Sequence, residues 1–203
     1  EFARRVAEIA AGNQIRVFLC DDVTPTPAVS WAVKELGAGA GIMITASHNP
    51  AIYNGFKIKE NYGGSARPET TRLLEQIVAY NQTEQRKVRS LPFDEACNSG
   101  KIEQIDAVTS YLRKLGHVVD IEAIRKANIS AVVDPMYGAG SGLFKRLLGS
   151  DEIHADQNPA FGGRSPEPIG ENLQELCSLL ASGRYRVGLA LDGDADRIGA
   201  VDE

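Results

Sequence analysis

The sequence is poor in several features that mark particular classes of protein. Only 6% of its 203 residues are aromatic, and its three cysteines, Cys20, Cys97 and Cys177, form no C-x-x-C pair. An odd number of widely separated cysteines argues against a disulfide framework or a zinc site. We therefore expect the protein to be located in a reducing compartment, the cytoplasm. There is no run of about eighteen apolar residues, so the sequence predicts neither a membrane span nor export.

Long blocks of basic residues are also missing, which bears on binding partners. The net charge is −5, and no basic block alternates with aromatic residues, so nucleic acid is a poor candidate partner. Residues 1–99 carry 11 basic and 11 acidic side chains, whereas residues 100–203 carry 11 and 16. The acidic excess therefore lies in the second half, and three aspartates fall within DGDADR at 192–197, here called the acidic loop. This cluster suggests a bound cation.

What the sequence does contain is an alternation of apolar, strand-like runs and helical stretches. With 43% hydrophobic residues and 20 glycines, it suits one or two α/β domains that each bury a core. We predict two consecutive three-layer α/β domains, over 1–97 and 98–203, each a mixed sheet packed between helices. The polar stretch at 81–100 is the predicted linker. A strand–loop–helix–strand pattern recurs at 17–50 and 132–159, which favours two related units.

Several elements can be predicted with their bounds. Short apolar runs predict strands at 15–20, 40–45 and 129–134. The second of these strands is continuously apolar, so we expect it to be buried on both faces. Thr26 is placed to cap a helix whose first turn contains Pro27. Helical patterns predict further helices over 68–80 and 103–115.

The acidic loop directly follows the apolar run VGLAL and contains Asp192, Asp194 and Asp196, here called the aspartate triad. Gly193 and Ala195 between them leave room for the carboxylates to converge. Without a cation, three converging carboxylates would repel one another, and hard oxygen ligands suit Mg²⁺ or Ca²⁺. The loop therefore predicts a hard-metal site, with a solvated turn after a strand as the alternative.

Two other acidic motifs fit this loop less well. An EF-hand requires a glycine at the sixth loop position, where Arg197 stands. The D-x-D-x-T nucleophile motif of haloacid-dehalogenase-type enzymes requires a threonine where Asp196 stands. Neither alternative accounts for the hexapeptide.

A second polar segment, TASHNP at 45–50, leaves the predicted strand at 40–45 and is here called the serine loop. Neighbouring side chains on an extended backbone point in opposite directions, so His48 is poorly placed as a base for Ser47. The G-x-S-x-G elbow of hydrolases is also missing. Ser47 is then either an ordinary turn serine or a phosphoryl carrier beside the metal, with His48 and Lys57 supplying proton-transfer and cationic groups.

The order of these motifs carries a family resemblance. TASHNP followed by YNGFKI, with DGDADR about 145 residues after the serine, resembles the α-D-phosphohexomutase superfamily, which includes phosphoglucomutases and phosphomannomutases. The segments TPTPA, YGGSARPE and FGGRSPEP extend the resemblance over essentially the whole chain.

The resemblance implies a role for each candidate residue. Ser47 would be a phosphoserine that donates to, and is rephosphorylated by, a sugar phosphate. The aspartate triad would hold one Mg²⁺ together with a phosphate oxygen on Ser47, at the usual ligand distance of about 2.0–2.1 Å. Arg197 and Lys57 would bind the substrate. Lys57 and His48 would act on the reacting hydroxyl as general acid or base, or by stabilising charge.

The reaction implied is a phosphosugar mutase reaction. A phosphoryl group would move between the C1 and C6 hydroxyls of a hexose phosphate, with hexose 1,6-bisphosphate as activator and intermediate. TASHNP together with NGFKIK leads us to expect glucose or mannose phosphate rather than glucosamine phosphate, and we expect no nucleic-acid or membrane partner. The alternative is a non-catalytic α/β module with a Mg²⁺- or Ca²⁺-binding loop, in which Ser47 is structural.

The sequence also departs from the family pattern. An opening GTSG-x-R segment and a D-x-R strand are missing before the first helical stretch at 2–12, as are the third and fourth domains of the family. We therefore expect this chain to be a fragment that holds the phosphoserine and the metal but is unable to turn over alone.

Overall fold

Helices and short strands alternate along the chain in the computed structural model, which describes residues 1–202. The helices are α1 (Phe2–Gly12), α2 (Thr26–Glu35), α3 (Pro68–Thr83), α4 (Phe93–Asn98), α5 (Ala107–Leu115), α6 (Ile121–Ala127), α7 (Leu143–Leu148) and α8 (Gln174–Ala181). The strands are β1 (Val17–Cys20), β2 (Ala40–Ile44), β3 (Phe56–Glu60), β4 (Ile102–Ile105), β5 (Ala131–Asp134), β6 (Asp151–Glu152), β7 (Val187–Leu191) and β8 (Ile198–Val201). The predicted α/β class is confirmed. None of the helices formed by residues 1–202 combines the length and the hydrophobicity that a membrane span needs.

The first half of the chain contains two small sheets. β1 runs parallel to β4, and β2 runs antiparallel to β3. Helix α1 packs on β1 and α4, and it buries Ala7 and Ala11, which lie one turn apart on the same face, against Ala96 and Ile102. Helix α2 packs on β2 and β3, so it covers the sheet from which the serine loop leaves.

Two predictions for this half are wrong in part. Residues 93–98, assigned to the linker, form α4, whose Ala96 is fully buried against α1. Residues 102–105 form strand β4, although most of them were expected to lie in the first turn of a helix. Helix α5 instead follows Asp106, its N-cap residue, whose side chain accepts a hydrogen bond from the Thr109 amide. Strand β4 forms because it pairs with β1, which lies far away in the sequence. A local helical pattern in the sequence does not reveal such a partner.

Strand β2 also differs from expectation. Its residues are exposed or half-buried, and none of the five is fully buried as expected from the sequence. The strand pairs with β3 and packs on α2, and these contacts leave Ala40 and Ile42 exposed. A continuous apolar run therefore does not identify a central strand here.

The second half forms a four-stranded mixed sheet in the order β6-β5-β7-β8. β5 runs parallel to β6 and β7, whereas β8 returns antiparallel to β7. Helix α8 packs on β7 and β8, with Leu176 fully buried against Val132 and Ala190. Because β5 and β7 are parallel, their carboxyl ends share one edge of the sheet, and the acidic loop projects from that edge.

The boundary between the halves follows from the packing of β4 and α5. β4 pairs with β1, and α5 packs on α2, where Trp31 Nε1 donates to Ser110 Oγ at 3.0 Å. Both elements belong to 98–203 in the division made from the sequence, which stays a prediction. We propose that the first domain continues to the end of α5, at Leu115, because its sheet and helix contacts extend that far.

Candidate active site

The serine loop and the acidic loop lie against each other. The serine loop follows β2, and the acidic loop connects β7 to β8. A Cβ atom at Gly193 would overlap the carbonyl oxygen of Ser47 and would lie 2.9 Å from Pro166 Cγ. The lack of a side chain at Gly193 therefore allows the two loops to touch. From the sequence, this glycine was expected only to leave room for the carboxylates.

The Ser47 hydroxyl faces the aspartate triad. Ser47 Oγ donates to Asp192 Oδ2 at 2.9 Å and accepts from Arg197 Nη2 at 2.9 Å. The backbone at Ser47 has a φ of 57°, and its amide donates to Thr45 Oγ1 at 2.8 Å. A positive φ is uncommon outside glycine and tends to occur at functional sites. The structure thus brings the Ser47 hydroxyl into hydrogen-bond contact with two residues of the acidic loop, Asp192 and Arg197.

Asp192 is enclosed by donors. The carboxylate is fully buried, and its Oδ1 accepts from the amides of Asp196 and Arg197, both at 3.0 Å. Its Oδ2 accepts from Ser47 and from Arg197 Nε at 2.9 Å. Because every contact is a donor, the buried charge of Asp192 is compensated by the protein itself.

Asp194 is satisfied at only one of its two oxygens. Oδ2 accepts from Thr26 Oγ1 at 2.6 Å and from Lys57 Nζ at 2.7 Å, whereas Oδ1 is buried and has no partner within residues 1–202. Burial alone would raise the pKa of Asp194, but the hydrogen bonds from Lys57 and Thr26 hold it below its ordinary value. An ionised carboxylate oxygen buried without a donor is costly, and a hard cation would satisfy it.

Lys57 joins two members of the triad. Its Nζ also lies 2.9 Å from Asp196 Oδ2, and although burial would lower the pKa of Lys57, its hydrogen bonds to Asp194 and Asp196 raise it above its ordinary value. One ligand atom from each triad member lies within 4.8 Å of the others. Three carboxylate oxygens within that distance of one another are compatible with one site for a hard cation such as Mg²⁺ or Ca²⁺.

His48 stands apart from this network. Its Nδ1 is buried and has no hydrogen-bond partner among the described residues, and its Nε2 lies 3.8 Å from Glu167 Oε1. The backbone of Glu167 is held in turn by the Asn172 side chain, which donates to its carbonyl at 3.0 Å. The catalytic role of His48 stays a prediction.

The role of Thr26 in the structure differs from the role predicted from the sequence. Thr26 was expected to cap α2, but the helix begins at Thr26 itself, and Pro25 is the N-cap residue. The Thr26 hydroxyl bonds to Asp194 instead of to the helix backbone. The only sequence signal for this role was the TPTPA segment. Local sequence patterns identify that segment as a helix start, because they contain no information about a partner 168 positions away.

The acidic loop has a second support that the sequence analysis did not identify. Gly193 N donates to the carbonyl of Pro166 at 3.2 Å, and Pro166 is buried. Ala195 adopts a φ of 56°, so the loop turns sharply between its second and third aspartates. The segment FGGRSPEP therefore supports the loop from the second half of the chain.

Comparisons with known proteins show which family the chain resembles. Two family models match: phosphoglucomutase/phosphomannomutase, alpha/beta/alpha domain I, over residues 1–85, and domain II of the same family, over residues 109–203. A "probable phosphoglucosamine mutase" of Methanothermobacter thermautotrophicus is 39% identical, and a phosphoglucomutase/phosphomannomutase of Thermococcus kodakarensis is 33% identical. Each of these alignments covers 89% of this chain and 39% of the relative. The chain therefore spans about two fifths of the length of these curated relatives.

A solved structure has the same fold. The crystal structure of a "putative phosphomannomutase" from Thermus thermophilus superposes with a TM-score of 0.86 at 33% sequence identity. The match covers 98% of this chain and 45% of that chain. Both halves of the present chain are therefore represented in one related molecule.

Proposed function

The chain belongs to the phosphoglucomutase/phosphomannomutase family of the α-D-phosphohexomutase superfamily, and from this premise we propose that it carries the phosphoserine and metal site of a phosphosugar mutase. The observation that carries the proposal is the position of Ser47 Oγ, 2.9 Å from both Asp192 Oδ2 and Arg197 Nη2. A solvated-turn serine has no reason to meet a buried carboxylate and a guanidinium at once.

The residues around Ser47 suit phosphoryl transfer. The hydroxyl points its proton towards Asp192, which leaves an oxygen lone pair for an incoming phosphorus atom. As the new bond from Ser47 Oγ to phosphorus forms, the bond between phosphorus and one sugar oxygen breaks, and the proton lost by the serine is balanced by the proton gained by that sugar oxygen. In the second transfer the other sugar hydroxyl forms the bond to phosphorus and loses its proton, the bond from Ser47 Oγ to phosphorus breaks, and Oγ regains a proton. Arg197 lies beside Ser47 Oγ, where it would neutralise the phosphate.

The aspartate triad would hold Mg²⁺, and this cation would supply positive charge at the transferring phosphoryl group. The unpartnered Oδ1 of Asp194 is the oxygen best suited to it. Lys57 lies against Asp194 and Asp196, where it neutralises part of the acidic charge. In this proposal Lys57 keeps the predicted role of a charged group beside the reacting hydroxyl, and His48 that of a general acid or base.

The sugar is the least constrained part of the proposal. The similar proteins are named for glucosamine phosphate and for glucose or mannose phosphates. The expected preference for glucose or mannose phosphate therefore stays a prediction, with hexose 1,6-bisphosphate as the phosphoryl donor. The cytoplasmic location likewise stays a prediction.

Mass spectrometry of the phosphorylated protein tests the proposal. After incubation of the chain with Mg²⁺ and glucose 1,6-bisphosphate, we expect the mass of one phosphoryl group on the peptide that contains Ser47. Ser47→Ala should gain none, whereas Ser99→Ala should behave like the parent chain, because the Ser99 hydroxyl bonds to the carbonyls of Glu95 and Ala96 within its own segment. Mg²⁺ binding without phosphorylation would instead favour the non-catalytic metal-binding module.

A further inference from the structure

Thr26 connects the first residue of α2 to the acidic loop of the other half of the chain. Thr26 Oγ1 donates to Asp194 Oδ2 at 2.6 Å, and the Thr26 amide donates to the carbonyl of Asp194 at 2.9 Å. Each residue is only 1% exposed. One residue therefore holds both the side chain and the main chain of Asp194.

This double contact determines which oxygen of Asp194 remains free. A carboxylate can rotate about its Cβ–Cγ bond, and a donor fixed at one oxygen suppresses that rotation. With Oδ2 occupied by Thr26 and Lys57, the oxygen left without a donor in the described part of the chain is the buried Oδ1. Thr26 thereby holds Asp194 with one oxygen bound to the protein and one buried oxygen without a hydrogen-bond donor among residues 1–202.

Lys57 is a weaker candidate for the same task. Its side chain is 32% exposed, ends a flexible four-carbon chain and is shared with Asp196. Thr26 is short, β-branched and buried, so its hydroxyl has little freedom to move. Its hydroxyl is also not needed by the helix, because Thr26 follows the N-cap residue Pro25 and no side chain caps this helix.

We propose that Thr26 is a positioning residue for the metal site: it holds Asp194 so that Oδ1 faces the cation. The role rests on the proposed function, since it requires the aspartate triad to bind Mg²⁺. Partners that orient a metal ligand typically contribute about 10-fold to 100-fold in metal affinity. A threonine outside the ligand shell is then part of the site, although it contacts neither metal nor substrate.

Calorimetric titration of the metal-free chain with Mg²⁺ tests the role of Thr26. Thr26→Val keeps the shape of the side chain and removes the hydroxyl, so we expect affinity to fall about 10-fold to 100-fold. Thr26→Ser restores a hydroxyl and should recover most of the affinity. Thr24→Val is the matched control, because Thr24 is also buried but its hydroxyl donates to the carbonyl of Asp22 at 2.8 Å.

The outcomes separate a positioning role from a structural one. Thr26→Val binding Mg²⁺ as tightly as Thr24→Val would overturn the role of Thr26 alone, and a lower melting temperature with unchanged affinity would overturn it equally. Should Thr26→Val not fold, Thr26→Ala replaces it and the same affinities are compared. Failure of the parent chain to bind Mg²⁺ would overturn the proposed metal site together with the role of Thr26.

Discussion

Ser47 Oγ and Asp192 Oδ2 are joined by a hydrogen bond of 2.9 Å, although 145 positions separate the two residues in the sequence. Ser47 follows β2 in the first half of the chain, and Asp192 follows β7 in the second. The bond therefore requires both halves to be folded and packed together. Changes at the contact between the two loops should disturb the site without removing any of its functional groups.

The contact at Gly193 leads to the first prediction. In Gly193→Ala the new methyl group would overlap the carbonyl oxygen of Ser47, so one loop has to move. We expect a loss of about 1–3 kcal/mol in the free energy of unfolding, the usual range for overpacking, and slower phosphorylation of Ser47. Gly170→Ala is the control, since a Cβ atom there meets nothing within 4 Å. Equal behaviour of the two variants in urea unfolding would show that the loops do not touch.

The second prediction concerns Asp194. Asp194→Asn replaces the buried carboxylate by a neutral amide, so Mg²⁺ loses a charged ligand oxygen. We expect a larger loss of affinity than the roughly 10-fold to 100-fold associated with orienting partners. Asp94→Asn makes the same chemical change at a side chain that is 92% exposed, and it should leave the affinity unchanged. Calorimetry showing the same affinity in both variants would identify the acidic loop as a solvated turn.

The third prediction concerns the response of stability to pH in the metal-free chain. We expect Lys57→Met to lower the free energy of unfolding at neutral pH by roughly 2 kcal/mol. This value lies between the losses typical of exposed and of buried ion pairs, because Lys57 is about one third exposed. The folded pKa of Asp194 is lowered, so its stabilising contribution is complete above the ordinary aspartate pKa and is lost as the pH falls through the folded pKa. The folded pKa of Lys57 is raised, so its contribution is complete below the ordinary lysine pKa and is lost as the pH rises through the folded pKa.

Urea unfolding of the parent chain and Lys57→Met over a range of pH measures this effect. The difference between the two proteins should be largest between about pH 4 and pH 10, the ordinary aspartate and lysine values, and should shrink outside that interval. Lys101→Met is the control, because Lys101 donates to the neutral side chain of Gln14 and has no carboxylate partner among residues 1–202. A difference that stays constant into acid would contradict the ion pair with Asp194.

The fourth prediction concerns the domain boundary. If β4 and α5 belong to the first domain, the preferred site of limited proteolysis lies after Leu115, at about residues 116–120. The N-terminal fragment should then retain Trp31, together with Ser110, its hydrogen-bond partner on α5. Mass spectrometry of the fragments identifies the cut. Cleavage at residues 97–98 with survival of both pieces would support the division made from the sequence.

Local patterns in the sequence were sufficient for several of the elements and for the motifs. Helix α3 was expected over 68–80 and extends to Thr83, and the strands expected near 15–20 and 129–134 are present as β1 and β5. The family resemblance and the α/β class are confirmed. The reason is physical: hydrophobic periodicity and turn residues act within a few positions, and the sequence displays them directly.

Contacts between distant segments were decided by the tertiary structure. Strand β4 forms by pairing with β1, and the helix at 93–98 is held by a buried contact with α1. The Thr26 hydroxyl donates to a carboxylate 168 positions away instead of capping its own helix. The sequence by itself determined which groups are available for chemistry: one serine, three aspartates, a lysine and an arginine in recognisable order. Only the folded chain decided that Asp192 is enclosed by donors while one buried oxygen of Asp194 has no donor among residues 1–202, because hydrogen-bond partners and burial arise where separate segments meet.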